Sequence, residues 1–249
     1  MKKIGNEVTT RNHASQSGLL QLENYMPYFD SIQQNRHIHR LSLLPVQSLN
    51  KIIALNEYYK MILDIPGSIC EFGVNYGSSL ATWVNLRNIY EPFNASRTVH
   101  GFDTFSGFPA VTNEDRNNRV GDYSTVEGHE TILESLLTLH ESFSPQCHLK
   151  KFFLHKGDVS ETVPEFIKDN PHTIIALAYF DLDLYVPTRD VLLSILPRLT
   201  RGSLIVFDEL NCPQFPGETL AVLETLGLNR VSLRRIPYSQ FGSYMVFGN

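Results

Sequence analysis

Beyond Pro66 the apolar positions switch between two patterns. Short segments at 68–73, 98–103, 151–155, 173–181 and 203–208 read as strands, with 68–73 and above all 173–181 apolar in character and 203–208 a buried strand. Between them, apolar residues at helical spacing predict helices over 78–90, 132–143, 160–168, 187 to about 199, and 219–226. The run 173–181 is apolar on both faces, as a central strand must be when helices cover both sides of a parallel sheet. Residues 231–236 and 243–247 read as an antiparallel ribbon at one edge. Strands alternating with helices dictate an α/β fold, here a doubly wound, mostly parallel sheet of seven strands. Such a sheet takes ligands beyond the carboxyl ends of its strands. The residues following Gly73, Asp103, His155, Asp181 and Asp208 should therefore converge on one crevice.

The N-terminal part follows neither pattern at first. Residues 1–17 are polar, without periodicity, and read as a flexible arm. Residues 18–66 carry helically spaced apolar positions, with Ser48 as a capping candidate, and end at the turn Pro66-Gly67. They read as a helical extension serving as a lid or an oligomer contact. Residues 67–249 form the sheet-bearing domain, interrupted by a lid insertion at about 110–150 in which Gly121 and Gly128 are hinge candidates. Arg116, Arg119, Tyr123 and His129 lie there as possible substrate contacts; the competing reading is a solvated loop followed by a surface helix.

Composition narrows the partners. Apolar residues make up 42% of the 249 and charged residues 19%, enough for a packed core. The net charge of −5 leaves no basic surplus for a phosphate backbone, so nucleic acid is not expected as a partner. No apolar run approaches the roughly 20 residues that span a bilayer, and the N-terminus lacks the apolar stretch of a signal peptide. The odd set Cys70, Cys147 and Cys212 has no metal-ligand spacing and fits a reduced, cytoplasmic setting.

Four segments carry chemistry. At the first strand end, Glu71-Phe-Gly73-Val-Asn-Tyr-Gly77-Ser-Ser79 pairs two glycines with a helix start. That arrangement lets a ligand approach the backbone, or serves packing alone. The spacing is not G-x-G-x-x-G, so the dinucleotide fingerprint fails, and Glu71 suits a cationic or amine-bearing ligand better than a pyrophosphate. Asp103, at the second strand end, can accept from a ribose diol or cap its own turn, with Phe105 and Phe108 anchoring the loop. The last two segments are adjacent acidic tips, Asp181-Leu-Asp183 and Asp208-Glu209. If the chain stays extended, Asp181 and Asp183 point the same way. Crowded carboxylates raise one another's pKa, and a divalent cation such as Mg²⁺ with hard oxygen ligands offsets that cost. The alternative is that some of them cap the helices that follow.

Taken with Gly101-Phe-Asp103-Thr-Phe-Ser-Gly-Phe-Pro109, Lys156-Gly-Asp158, and the continuation through Tyr185, Thr188 and Asp190, these segments resemble the macrocin O-methyltransferase family. Its members are S-adenosylmethionine-dependent sugar O-methyltransferases of natural-product biosynthesis. The resemblance covers residues from about 69 to 208 and implies a class I, Rossmann-like methyltransferase domain. It implies that Glu71, Gly73, Tyr76, Gly77, Ser78 and Ser79 line the methionine end of S-adenosylmethionine, and that Asp103 holds the ribose. By the same resemblance Thr104 and Phe105 flank the adenine, Gly157 and Asp158 meet its amine, and Asp181 also borders the cofactor. Asp181, Asp208 and Glu209 would ligate Mg²⁺, and Asp183 would be the general base for a small-molecule sugar acceptor in a homo-oligomeric enzyme. Two departures stand out: Glu209 replaces the more usual aspartate, and Asn75-Tyr76 stands where the family more often has an aromatic-Arg pair. Competing readings are a nicotinamide oxidoreductase or hydroxylase on a similar sheet, and a non-catalytic module that keeps the methyltransferase fold.

Overall fold

The structure, a computed structural model, describes residues 2–4, 7–9, 13–116, 118–239 and 242–248. Met1, Gly5, Asn6 and 10–12 of the expected arm lie outside the described residues. The chain divides into two compact units, Met1–Ile53 and Ala54–Asn249. In the first, β1 (Lys2–Ile4) pairs antiparallel with β2 (Glu7–Thr9), and the helices α1 (His13–Glu23), α2 (Met26–Ser31) and α3 (Arg36–His39) follow. The arm therefore holds a short ladder that its polar sequence did not announce. Helix α4 (Val46–Met61) begins in the first unit and ends in the second. Ser48 lies inside its first turn rather than at its cap.

The second unit is built on β3 (Ser68–Phe72), α5 (Ser78–Tyr90), β4 (Val99–Asp103), α6 (His129–Glu141), β5 (Phe152–Lys156), α7 (Val159–Asp169), β6 (Ile175–Phe180), α8 (Tyr185–Ile195), β7 (Leu199–Phe207), α9 (Pro216–Thr225), β8 (Arg234–Arg235) and β9 (Ser243–Val246). Seven strands form one sheet in the order β5-β4-β3-β6-β7-β9-β8. All pairings from β5 to β7 are parallel, and β9 joins β7 and β8 antiparallel. The expected architecture is thus the observed one. Strand order reverses between β3 and β6, the topology that opens a crevice at the strand ends.

Alternation on the strands makes two cores. On one face Ile69, Val99, Leu177, Tyr179, Leu204 and Val206 pack with Leu55, Tyr59, Trp83 and Leu137. On the other, Cys70, Phe72, Phe102, Phe180, Ile205 and Phe207 pack with residues of α7, α8 and α9. Four of these side chains form a row across the parallel strands. Phe102, Phe72, Phe180 and Phe207 are consecutive cross-strand partners, with ring centroids 5.4, 5.0 and 5.1 Å apart. Each such aromatic contact contributes about 0.5–1.5 kcal/mol beyond its burial.

Element boundaries shift where local chemistry intervenes. α6 starts at His129 because Gly128, left-handed at φ 77°, caps it earlier than the apolar periodicity indicates. α9 starts at Pro216, since proline's fixed φ suits a first helical turn. β8 is reduced to two residues, so the edge ribbon is shorter than its apolar pattern predicts. The buried arginines and lysine are paired: Glu141 on α6 meets Arg87 of α5 and lies 3.1 Å from Lys151, while Arg97 bonds Glu91 at 2.8 Å and the carbonyls of Ile62, Ile65 and Gly67.

A buried imidazole pair links β4 and β5. His100 Nδ1 lies 3.1 Å from His155 Nε2, among Phe102, Phe153 and Phe166. Burial, and next His155, pushes His100 from 6.5 down to about 3; burial pushes His155 down to about 4. Both rings are neutral in the fold and become charged in the unfolded chain below about pH 6.5. Their contribution is complete above that pH and is lost as pH falls toward 4, because the unfolded state binds more protons there. The free energy of unfolding should fall between pH 6.5 and 5 by about 1.4 kcal/mol per pH unit for each ring. Denaturant titrations at several pH values check this, and His155→Phe should flatten the slope; an unaltered slope would show that the rings are not buried neutral.

Candidate functional site at the strand ends

One residue beyond the phenylalanine row, the strands hand their backbone amides to one another. Gly73 N–H donates to Phe102 O (2.9 Å), Asp181 N–H to Phe72 O (2.8 Å), Asp208 N–H to Phe180 O (3.0 Å) and Gly157 N–H to Asp103 O (2.9 Å). The tips that carry Gly73, Asp103, Gly157, Asp181 and Asp208 therefore stand side by side.

The first turn owes its shape to packing. Gly73 has φ 89°, and a Cβ there would overlap the Asp181 carbonyl oxygen. Gly77, at φ 82°, caps α5, and a Cβ would strike Leu133 of α6. No side chain caps α5: Ser78 and Ser79 lie within its first turn instead, Ser79 buried and Ser78 exposed. The free amides and positive end of that helix suit a carboxylate. Tyr76 is half exposed, its ring 4.8 Å from that of His129.

Asp103 staples the first turn to the second. Its Oδ2 accepts from the N–H groups of Val74 (2.7 Å) and Asn75 (2.8 Å), and its Oδ1 from Phe105 N–H (2.6 Å). A carboxylate accepts about four hydrogen bonds, so one position is left for a ligand hydroxyl. Thr104 Oγ1 closes its own turn by donating to Gly107 O (2.7 Å). Phe105 and Phe108 are buried, and Thr125 Oγ1 fastens the insertion to Phe105 O at 2.9 Å. At the third tip Asp158 caps α7, its Oδ1 accepting from Ser160 N–H at 2.9 Å.

Asp181 and Asp183 do not share an extended segment. Asp183 is left-handed at φ 63° and nearly buried, because the chain turns there to start α8, so the alternation of an extended strand does not govern this pair. Tyr179, behind them on β6, donates its hydroxyl to Asp208 Oδ1 at 2.8 Å. Burial, then Asp208 and Asp181, hold that phenol well above its usual range. Among the described residues no three histidine, cysteine, aspartate or glutamate side chains are gathered as a metal site. The carboxylates of Asp181, Asp183, Asp208 and Glu209 are by their chemistry the hard oxygen donors that a divalent cation takes.

Glu218 is one acidic residue that sequence reasoning missed. It is fully buried in the first turn of α9, and its Oε2 accepts from Glu209 N–H at 2.9 Å. Burial, with Glu209, Asp183 and Asp208 adding to it against the Glu209 amide, holds its carboxyl well above the usual range. Pro216 two residues earlier was the available signal, because proline marks a first helical turn. Other residues take structural roles. Burial raises Cys212 to about 11, an unreactive thiol. Trp83 packs against Tyr179 under the sheet. In the insertion Tyr123 packs between Phe108 and Phe215, whereas Arg116 and Arg119 are exposed.

Residues 49–219 match the family model for macrocin-O-methyltransferase (TylF). Mycinamicin III 3''-O-methyltransferase of Micromonospora griseorubida is 28% identical over 158 residues, 60% of this chain and 57% of that protein. The matched part thus spans just over half of that relative's length. The crystal structure of CalS11, a calicheamicin methyltransferase, superposes with a TM-score of 0.94 at 35% identity over 100% of both chains. An apo structure of CalS11, described as a TDP-rhamnose 3'-O-methyltransferase of calicheamicin biosynthesis, gives 0.87 at 34% identity over 97% of each. With the family model covering most of the sheet-bearing unit and CalS11 matching from end to end, the chain belongs to the macrocin O-methyltransferase family.

Proposed function

We propose that this chain is an S-adenosylmethionine-dependent O-methyltransferase that methylates a sugar hydroxyl with the help of a divalent cation. The sugar would be linked to a nucleotide or carried on a glycosylated natural product. The observation that carries the reading is the pair of adjacent acidic tips, Asp181-Leu-Asp183 and Asp208-Glu209, beside a glycine turn and a helix start that no side chain caps. In support of the class, CalS11 is described as acting on TDP-rhamnose and the Micromonospora enzyme on mycinamicin III.

In this reading the α5 N-terminus with Ser78 and Ser79 receives the cofactor's carboxylate, and Glu71, Gly73, Tyr76 and Gly77 border its methionine portion. Asp103 takes the ribose with its remaining acceptor position, Thr104 and Phe105 flank the adenine, and Gly157 and Asp158 meet its amine. Asp181, Asp208 and Glu209 would hold Mg²⁺, which when bound lowers the pKa of a coordinated hydroxyl. Asp183 takes the hydroxyl proton. The sugar oxygen forms the new C–O bond as the C–S bond breaks, and the electron pair stays on sulfur as a neutral thioether. The nearly buried position of Asp183 keeps water from competing for it.

We propose further that the protein is a homo-oligomer assembled through its first unit. None of residues 16–53 is buried, and Leu20, Tyr28, Ile38, Leu41, Val46 and Ile53 expose large apolar surface. No helix among the described residues is long and apolar enough to cross a membrane.

Asp183→Asn should retain S-adenosylhomocysteine binding by calorimetry and lose turnover on TDP-rhamnose by about 100-fold or more, within the range of general-base catalysis. Wild-type-like turnover would remove the base assignment. Chelation should lower wild-type turnover and added Mg²⁺ restore it; indifference to chelator would eliminate the cation. Asp103→Ala frees the Val74, Asn75 and Phe105 amides, so S-adenosylhomocysteine affinity should drop by about tenfold or more, the scale of losing one or two hydrogen bonds to a charged group. Deleting residues 1–45 should convert the oligomer to monomer by light scattering, and a monomeric full-length chain would rule the assembly out.

A further inference from the structure

Asp115 sits in the short 3₁₀ turn Asn113–Asp115 near the start of the insertion and is almost fully buried, at 1% exposure. One oxygen serves its own turn: Oδ2 accepts from Thr112 N–H (2.7 Å) and from the Thr112 hydroxyl (2.9 Å). The other reaches across the sequence, Oδ1 accepting from Tyr185 N–H at 2.7 Å. Tyr185 is the first residue of α8 and lies two residues after Asp183, whose left-handed backbone ends the fourth tip. That amide is among the orphan donors of a helix start, and the preceding N-cap, Leu184, has no side chain to satisfy it.

The start of α9 is shaped around this contact. A Cβ on Gly217 would lie 2.5 Å from Asp115 Oδ1, 2.5 Å from Tyr185 N and 2.9 Å from Leu184 C, so any side chain there would displace the carboxylate together with the backbone that it holds. The next residue, Glu218, holds Glu209 N–H, and Thr219 Oγ1 accepts from Asn211 N–H at 3.0 Å. Two successive residues of this helix turn thus fasten the Asp208-Glu209 loop, and the glycine before them leaves room for the contact between Asp115 and Tyr185.

We propose that Asp115 is a positioning residue: through the Tyr185 amide it couples the insertion to the backbone that sets Asp183. It acts through that amide and touches neither donor nor acceptor. A substrate that orders the insertion would by the same contact fix the base, so proton removal and acceptor binding share one rigid element. This rests on the O-methyltransferase reading above.

Three variants and two measurements test it. Asp115→Ala removes the acceptor, Gly217→Ala crowds both the carboxylate and the Leu184–Tyr185 backbone, and Asp115→Asn, which keeps the shape, serves if either fails to fold. Hydrogen exchange, which needs no acceptor sugar, should rise at least tenfold in peptides covering both 110–116 and 181–188, with 68–80 unchanged. A rise confined to 110–116 overturns the coupling. With TDP-rhamnose, S-adenosylmethionine and Mg²⁺, Asp115→Ala and Gly217→Ala should both lose at least tenfold in kcat with KM for S-adenosylmethionine within twofold. The acid limb of the pH–rate profile should shift, and Asp115→Asn, which keeps an oxygen for Tyr185 N–H, should fall between. An unshifted profile with full kcat, alongside an inactive Asp183→Asn, overturns the positioning role. A fully active Asp183→Asn instead overturns the base assignment and leaves the exchange result to decide the coupling.

Discussion

The register of the four central parallel strands is the constraint on which this molecule turns. Phe102, Phe72, Phe180 and Phe207 form one aromatic row on the face beneath α7, α8 and α9. A slip of one residue in any strand would move its phenylalanine to the opposite face and break the row. Because the row lies one residue below the tips, it also sets which loop residues emerge side by side. Asp103, Gly73, Asp181 and Asp208 each follow, or end, a strand whose phenylalanine is in that row.

Above the row the tips are held by backbone amides more than by side-chain pairing. Asp103 gathers three amides from two loops, Glu218 one from the acidic turn, and Asp115 one from the start of α8. A carboxylate that accepts backbone N–H groups keeps its partners without a cation beside it, which lets the crevice concentrate negative charge. The glycines at 73 and 217 do complementary work. Each removes a Cβ from a place where another backbone or carboxylate must come close. The same crowding gives Glu218 and the Tyr179 phenol their raised pKa, with burial as the larger cause in both.

Much of this was legible along the chain. The two-sided apolar run at 173–181 identified the central strand, now β6, and the alternation of strand and helix identified the doubly wound sheet. Asp181, Asp183, Asp208 and Glu209 could be named because strand ends in such a sheet are where ligands bind. Asp115 could not, and Glu218 was passed over. Glu218 lies nine residues after Glu209, inside a helix whose start was read too late. Asp115 makes its defining contact with a residue 70 positions away.

The sequence alone determined the class of sheet, the strands that end in carboxylates and the family resemblance, because periodicity and short motifs are local properties that survive without coordinates. Only the tertiary structure decided what each carboxylate holds. Asp103, read as a ribose ligand or a turn cap, proved to bind three amides. Asp181 and Asp183, which would point the same way only along an extended chain, proved to part company because the backbone of Asp183 is itself left-handed. A hydrogen-bond partner distant in sequence is fixed by how strands and helices pack, and the order of residues along a chain does not encode that distance directly.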